Sequence, residues 1–145
     1  MSIWKGTITT QMLQELNQHT MGQHLDICFT EVGPDYLKAT MPVNHKTQQP
    51  FGLLHGGASV ALAETIGSVA SWCVVNRDLF IAVGMEINAN HIKPVTSGTV
   101  TAHCAPIKVG GKVHIWDIRL YDEVGDLSCI CRFTTMVTAK REMTK

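Results

Sequence analysis

The chain has no surplus of charge, no basic leader, no disulfide spacing and no metal-ligand motif, and each absence closes off a class of function. Twelve Lys and Arg residues balance twelve Asp and Glu. A protein without net charge has no general attraction for nucleic acid or for an anionic membrane surface. The amino end, MSIWKGTITT, lacks a basic segment followed by a long apolar run, so a secretory signal is not expected and a cytoplasmic protein is. The five cysteines, Cys28, Cys73, Cys104, Cys129 and Cys131, are odd in number and do not have the spacing of a disulfide framework. They read as small buried thiols in a reducing compartment. Cys129 and Cys131 stand two apart in a strand-like run and so share a face. The seven histidines have no HExxH or CxxC-type partner, and no metal site is expected. There is no internal repeat and no low-complexity linker. A chain of 145 residues is read as a single domain with a real core.

Charge is scarcest where apolar residues are densest. Residues 48–76 read QQPFGLLHGGASVALAETIGSVASWCVVN, and the part from 56 to 75 reads as one helix about 30 Å long. Ala, Val, Leu, Ile and Ser go all the way round it. A helix with no charged face is expected to be buried. Its Glu, Gly and Ser residues and its glycine-rich entry argue against a membrane span. Glu64 is the one charged residue between His55 and Asn76. The positions three and four residues away are Val60, Ala61, Gly67 and Ser68, none of them cationic. A buried, unpaired carboxylate is costly, so Glu64 has a partner from elsewhere or is kept for chemistry.

The entry to this helix, His55-Gly56-Gly57, sets side-chain-free backbone where helix N–H groups are unsatisfied and the partial charge is positive. Such a terminus binds anions or polarises carbonyl oxygens, and glycine lets a ligand approach. Glu64 lies eight positions after Gly56, about 12 Å along the axis. A base and an oxyanion donor must converge on one reacting centre. One helix cannot bring them together, but two antiparallel copies can, which predicts a two-fold dimer with two equivalent sites.

Around the helix, the pattern predicts a short helix from Thr9 or Thr10 to about residue 17, packing over an end of the main helix. Strands are expected at 25–32 and 36–43, joined by a Gly33-Pro34-Asp35 turn, then at 80–92, 99–109, 113–122 and 127–138. Residues 1–24 form an N-terminal segment, and 139–145 read as a polar tail that frays. Five to six antiparallel strands with one apolar face need a cover, and the long helix is the only candidate.

On these residues the chain resembles the hotdog-fold acyl-CoA thioesterases of the PaaI-like group, an α+β fold whose antiparallel sheet wraps one central helix. The matching blocks are Gln49 to Ser59, Ala63 to Ser68 and Glu86 to His91, and the resemblance covers nearly the whole chain. Within that group it is similar to the hydrolases of 1,4-dihydroxy-2-naphthoyl-CoA in menaquinone synthesis and to the enterobactin proofreading thioesterases. The resemblance implies hydrolysis of acyl-CoA thioesters with an aromatic acyl group. It makes Glu64 the general base or nucleophile and Gly56 the N–H that polarises the thioester carbonyl. His55 and Gln49 would contact the thioester or orient water and the leaving thiol, and Ser68 would assist the water. His91, Lys93 and the Gly110-Gly111-Lys112 turn would hold the nucleotide of coenzyme A. Lys93 and Lys112 stand where relatives carry arginine, and a lysine holds phosphate as a point charge rather than a fork. No resident cofactor is implied, coenzyme A being part of the substrate. The expected assembly is a homodimer, paired into a homotetramer. A dehydratase acting on hydroxyacyl thioesters and a non-catalytic acyl-CoA-binding module are the alternatives.

Overall fold

A computed structural model describes residues 1–140. Of the tail expected at 139–145, residues 141–145 lie outside the described residues, while Ala139 ends the last strand and the Lys140 N–H donates to Leu79 O at 3.1 Å, so the fraying expected of these two is corrected. Two short helices, α1 (Thr10–Leu16) and α2 (Met21–His24), precede a hairpin of β1 (Cys28–Val32) and β2 (Leu37–Pro42). The long helix α3 (Gly56–Val74) follows. Four strands complete the chain: β3 (Phe80–His91), β4 (Thr99–Val109), β5 (Val113–Tyr121) and β6 (Leu127–Ala139). All six strands form one antiparallel sheet in the order β1-β2-β4-β5-β6-β3. The helix lies across one face of it, which is the hotdog arrangement.

Only β4, β5 and β6 run as a meander. The chain leaves β2, crosses the sheet along α3, and enters β3 at the far edge, where it pairs with β6. This crossing places the amino end of α3 against the far end of β3, where Gly56 meets His91.

Side-chain alternation decides which face meets the helix. Leu37, Ala39 and Met41 of β2, Val100, Ala102 and Cys104 of β4, and Trp116, Ile118 and Leu120 of β5 are all fully buried. Leu62 and Ile66 of α3 meet them, each worth about 2 kcal/mol of apolar burial. Gly67 lets the helix close on the sheet: a Cβ there would stand 2.5 Å from the Phe133 ring and 3.0 Å from Ile118. One polar link crosses the core. The Trp116 indole N–H donates to Ser71 Oγ at 2.7 Å, and Ser71 Oγ is 2.8 Å from Thr135 Oγ1.

The expectation of a helix buried all round is corrected. The sheet covers one side of α3, from Ser59 through Leu62, Ile66 and Ala70 to Val74, and a sheet cannot cover both. Val60, Ala61, Thr65, Ser68 and Val69 are half-buried and Glu64 is exposed. By length and composition α3 is apolar enough to cross a membrane, but it is the helix on which the sheet packs.

The amino-terminal segment departs from expectation in two places. The strand expected from residue 25 begins at Cys28 because a turn of helix and its cap occupy the preceding residues. Asp26 adopts φ 57°, its N–H donates to Gln23 O at 3.0 Å, and the Ile27 N–H donates to Gly22 O at 2.9 Å. This is a Schellman cap with a non-glycine residue in the left-handed position. Helix α1 packs on the edge of β1 rather than over an end of α3. Gln14 Oε1 accepts from the Phe29 N–H at 3.0 Å, and the Asn17 amide donates to Ile27 O at 2.9 Å.

Candidate active site

The amino end of α3 sits against the end of β3. His55 caps it: its Nδ1 accepts the Gly57 N–H at 2.8 Å, and its carbonyl accepts from Ala58 and Ser59. The imidazole is therefore occupied locally through Nδ1, and Nε2 is the nitrogen left for a ligand. The Gly56 N–H has no acceptor among the described residues, and it carries the positive partial charge of the helix terminus. A cleft of about 310 Å³ opens here, lined by Gln49, Gly56, Ser59, His91, Lys93 and Ser128 among others. Gln49 Oε1 accepts the Phe51 N–H, which leaves its amide hydrogens for a ligand.

His91 is closer to this helix end than a nucleotide-binding role implied. A Cβ on Gly56 would stand 2.8 Å from His91 Nε2 and 3.0 Å from Cε1, so the ring lies over the bare Cα. Behind it, His91 Nδ1 is 3.6 Å from Cys129 Sγ, and Cys129 Sγ is 3.7 Å from Cys131 Sγ. The strand register places His91 directly opposite Cys129. The contact with Cys131 lowers the Cys129 thiol below its ordinary pKa, and that same contact, with burial, raises Cys131.

Glu64 is two turns away and opens elsewhere. With Ser68, Ala61, Thr65 and Val69 it lines a second cavity of about 330 Å³, whose other lining residues include Leu16 of α1, Asn17, and Met21 of α2. Its carboxylate makes no hydrogen bond or ion pair among the described residues. Gly84 of β3 gives it room: a Cβ there would stand 2.9 Å from Glu64 Oε1. The ladder is irregular between Gly84 and Glu86. Gly84 escaped the sequence reading, although a glycine inside the run FIAVGMEINANHI is the usual sign of a bulge or a close approach.

The structure thus brings Gln49, Gly56, His91 and Lys93 together in one cleft and Glu64 with Ser68 in another. It does not unite them in one chain. Nor does it unite the residues expected to hold the nucleotide. His91 pairs with Cys129 of β6, whereas Val113, next to the Gly110–Lys112 turn, is in register with Met136, seven residues along the same strand. That is about 23 Å.

Two of these groups are also less free than expected. The Gly110 N–H is not open, because it closes the hairpin on Val113 O at 3.0 Å. Lys93 is held between Asp122 and Asp126 at 2.6 Å each. Those carboxylates raise the Lys93 pKa, and Lys93 holds that of Asp122 down. The charge of Lys93 is matched within its own chain before any phosphate arrives.

The profile of the thioesterase superfamily matches residues 51–129. The chain belongs to the thioesterase superfamily. A 1,4-dihydroxy-2-naphthoyl-CoA hydrolase of Escherichia coli (strain K12) is 47% identical over 135 residues, spanning 93% of this chain and 98% of that protein. Among solved structures, a thioesterase from Haemophilus influenzae superposes with a TM-score of 0.94 at 44% identity, covering 99% of both chains. A mutant thioesterase from Pseudomonas aeruginosa gives 0.94 at 43% identity, covering 95% of this chain and 99% of that one. Membership makes this chain a thioester hydrolase of the hotdog fold.

Proposed function

We propose that the chain hydrolyses acyl-CoA thioesters with an aromatic acyl group, in a site completed by a second copy of itself. The observation that carries this is the separation of Gly56 and Glu64 into two cavities of one chain, each with a polar group left unused. In the assembled site Glu64 acts as base or nucleophile. As base it takes a proton from water while the water oxygen attacks the thioester carbon. The carbonyl oxygen gains charge, which the partner's Gly56 N–H stabilises. The intermediate then collapses, the C–S bond breaks with its electron pair on sulfur, and the proton that Glu64 took from water passes to that sulfur, so that coenzyme A leaves as its thiol and the carboxylate is restored. Ser68, one turn from Glu64, is placed to orient the water.

The edge strand β3 offers the route to this assembly. Glu64 lies against Gly84, and Gly56 against His91. An antiparallel pairing of two β3 edges that sets Gly84 opposite the partner's His91 puts the two-fold axis at Asn88, once the extra residue of the bulge between Gly84 and Glu86 is counted. The same operation carries the Gly110–Lys112 turn toward the partner's Lys93, uniting the two halves of the nucleotide set. The aromatic preference is supported by the naphthoyl substrate in the name of the E. coli relative.

The test is thiol release from a panel of benzoyl, naphthoyl and aliphatic CoA esters. The aromatic esters should give the highest kcat/KM, and Glu64→Ala should abolish turnover on all of them. Wild-type kcat in that variant would overturn the mechanism. For the shared site, Glu64→Ala and Gly56→Pro chains are unfolded and refolded together. Statistical pairing should restore about a quarter of wild-type activity, from one intact site in each mixed dimer. No recovery would contradict sharing.

A further inference from the structure

Behind His91 lies a row of two buried thiols. Cys129 is 2% exposed and Cys131 is fully buried. Hydrogen-bond satisfaction orders the row. Among the described residues the Cys131 thiol has one hydrogen-bonding neighbour, Cys129, whereas Cys129 has two, Cys131 and His91 Nδ1. If Nδ1 carried the hydrogen and donated to Cys129, one of the two S–H groups would have no acceptor in a buried site. If Cys131 donates to Cys129 and Cys129 donates to Nδ1, every S–H is used and Nδ1 accepts. The remaining ring hydrogen is then on Nε2, the nitrogen that lies over Gly56.

We propose that Cys129 is a positioning residue: its thiol holds the His91 ring against the bare Cα of Gly56 in the tautomer that offers an Nε2–H donor to the cleft. The inference rests on the reading of that cleft as the thioester site. It goes beyond it by assigning a role to a residue that touches no substrate. The strand pairing supports it, because His91 and Cys129 are cross-strand partners on the helix-facing side and no loop intervenes. Glycine at 56 supports it too, since any larger residue would push the ring off the helix end.

The experiment compares Cys129→Ala, Cys129→Ser and Cys131→Ala in the full chain. The first readout is the nuclear Overhauser contact between the His91 ring protons and the Gly56 Hα protons. It should persist in wild type, in Cys129→Ser, whose hydroxyl still donates, and in Cys131→Ala, whose Cys129 still donates. It should be lost in Cys129→Ala. The second readout is kcat/KM on an aromatic acyl-CoA. Cys129→Ala should lose about threefold to tenfold, the scale of one hydrogen bond, with Cys129→Ser and Cys131→Ala within about twofold of wild type. Cys131→Ala truncates the same buried row, so an equal loss there would show a packing effect and overturn the proposal. A Gly56 contact that survives in Cys129→Ala would overturn it as well. If the alanine variant does not fold, Cys129→Val fills the space without a donor and carries the same expectation. Should the wild type hydrolyse no acyl-CoA, the thioester reading fails, and the ring contact still decides whether Cys129 holds His91.

Discussion

Replacing Gly84 by alanine separates the fold from the chemistry. The new methyl would stand 2.9 Å from Glu64 Oε1 and 3.2 Å from two atoms of the Phe133 ring. The backbone at Gly84 is not in the left-handed region, so alanine is accepted there and recovers about 0.5–1 kcal/mol of strand propensity. Against that, the Phe133 ring must yield by a few tenths of an ångström, at a cost of about 1 kcal/mol. The net change in stability is therefore close to zero. The carboxylate cannot stay where it is. It has no partner among the described residues, so it swings away at little cost to folding. A misplacement of about 1 Å at a reacting group costs on the order of 100-fold, and a displacement of a few tenths should cost about tenfold in kcat. The assay is thiol release at saturating acyl-CoA, with a thermal melt of the same sample. A Tm within about 3 °C of wild type and a kcat down about tenfold are expected. Unchanged kcat would mean that this position of the carboxylate is irrelevant to turnover. A large fall in Tm would mean that Phe133, not Glu64, absorbs the methyl.

Other substitutions probe the core. Gly67→Ala drives a methyl into Phe133 and Ile118 at 2.5 and 3.0 Å, and should lose about 1–3 kcal/mol in urea unfolding. Ser71→Ala strips the acceptor from the buried Trp116 N–H, and should lose about 1–3 kcal/mol, with a changed indole emission. Acid should weaken the fold in the window below pH 6.5. Burial holds His114, and with Lys38 holds His103, below the ordinary 6.5, so the unfolded chain takes up protons first. Stability then falls as pH drops from 6.5 toward the lower folded values. Melts of His114→Gln should show a shallower dependence across that window, and an unchanged slope would refute the assignment.

The alternation in β2, β4 and β5 was legible because each strand has one face on the helix and one in water. Strand β4 has the expected limits, and the others differ by a few residues. What the sequence could not show was side: α3 is apolar all round, yet a single sheet covers half of it, and composition does not say which half. The residues around Glu64 therefore read as core and proved to be the uncovered side. The start of β1 was hidden by Asp26, since a non-glycine left-handed cap leaves no glycine to mark the stop. At the site, Gly56, Gln49 and His91 were legible from their place in a motif. The two carboxylates on Lys93 and the thiol behind His91 were not. Each is made by residues far apart in sequence or by a side chain with more than one use.

The two rims of the sheet are unequal. At the β1 rim, the side chains of Gln14 and Asn17 occupy Phe29 N–H and Ile27 O, and the Trp4 indole occupies Gly33 O. The β3 rim has no such guard among the described residues. In the proposed pairing, a second copy joined along β3 leaves only the occupied β1 rims facing outward. Ribbon growth would then stop at the first step, at a stopper made of an indole and two amide side chains, one of which, that of Asn17, also lines the Glu64 cavity.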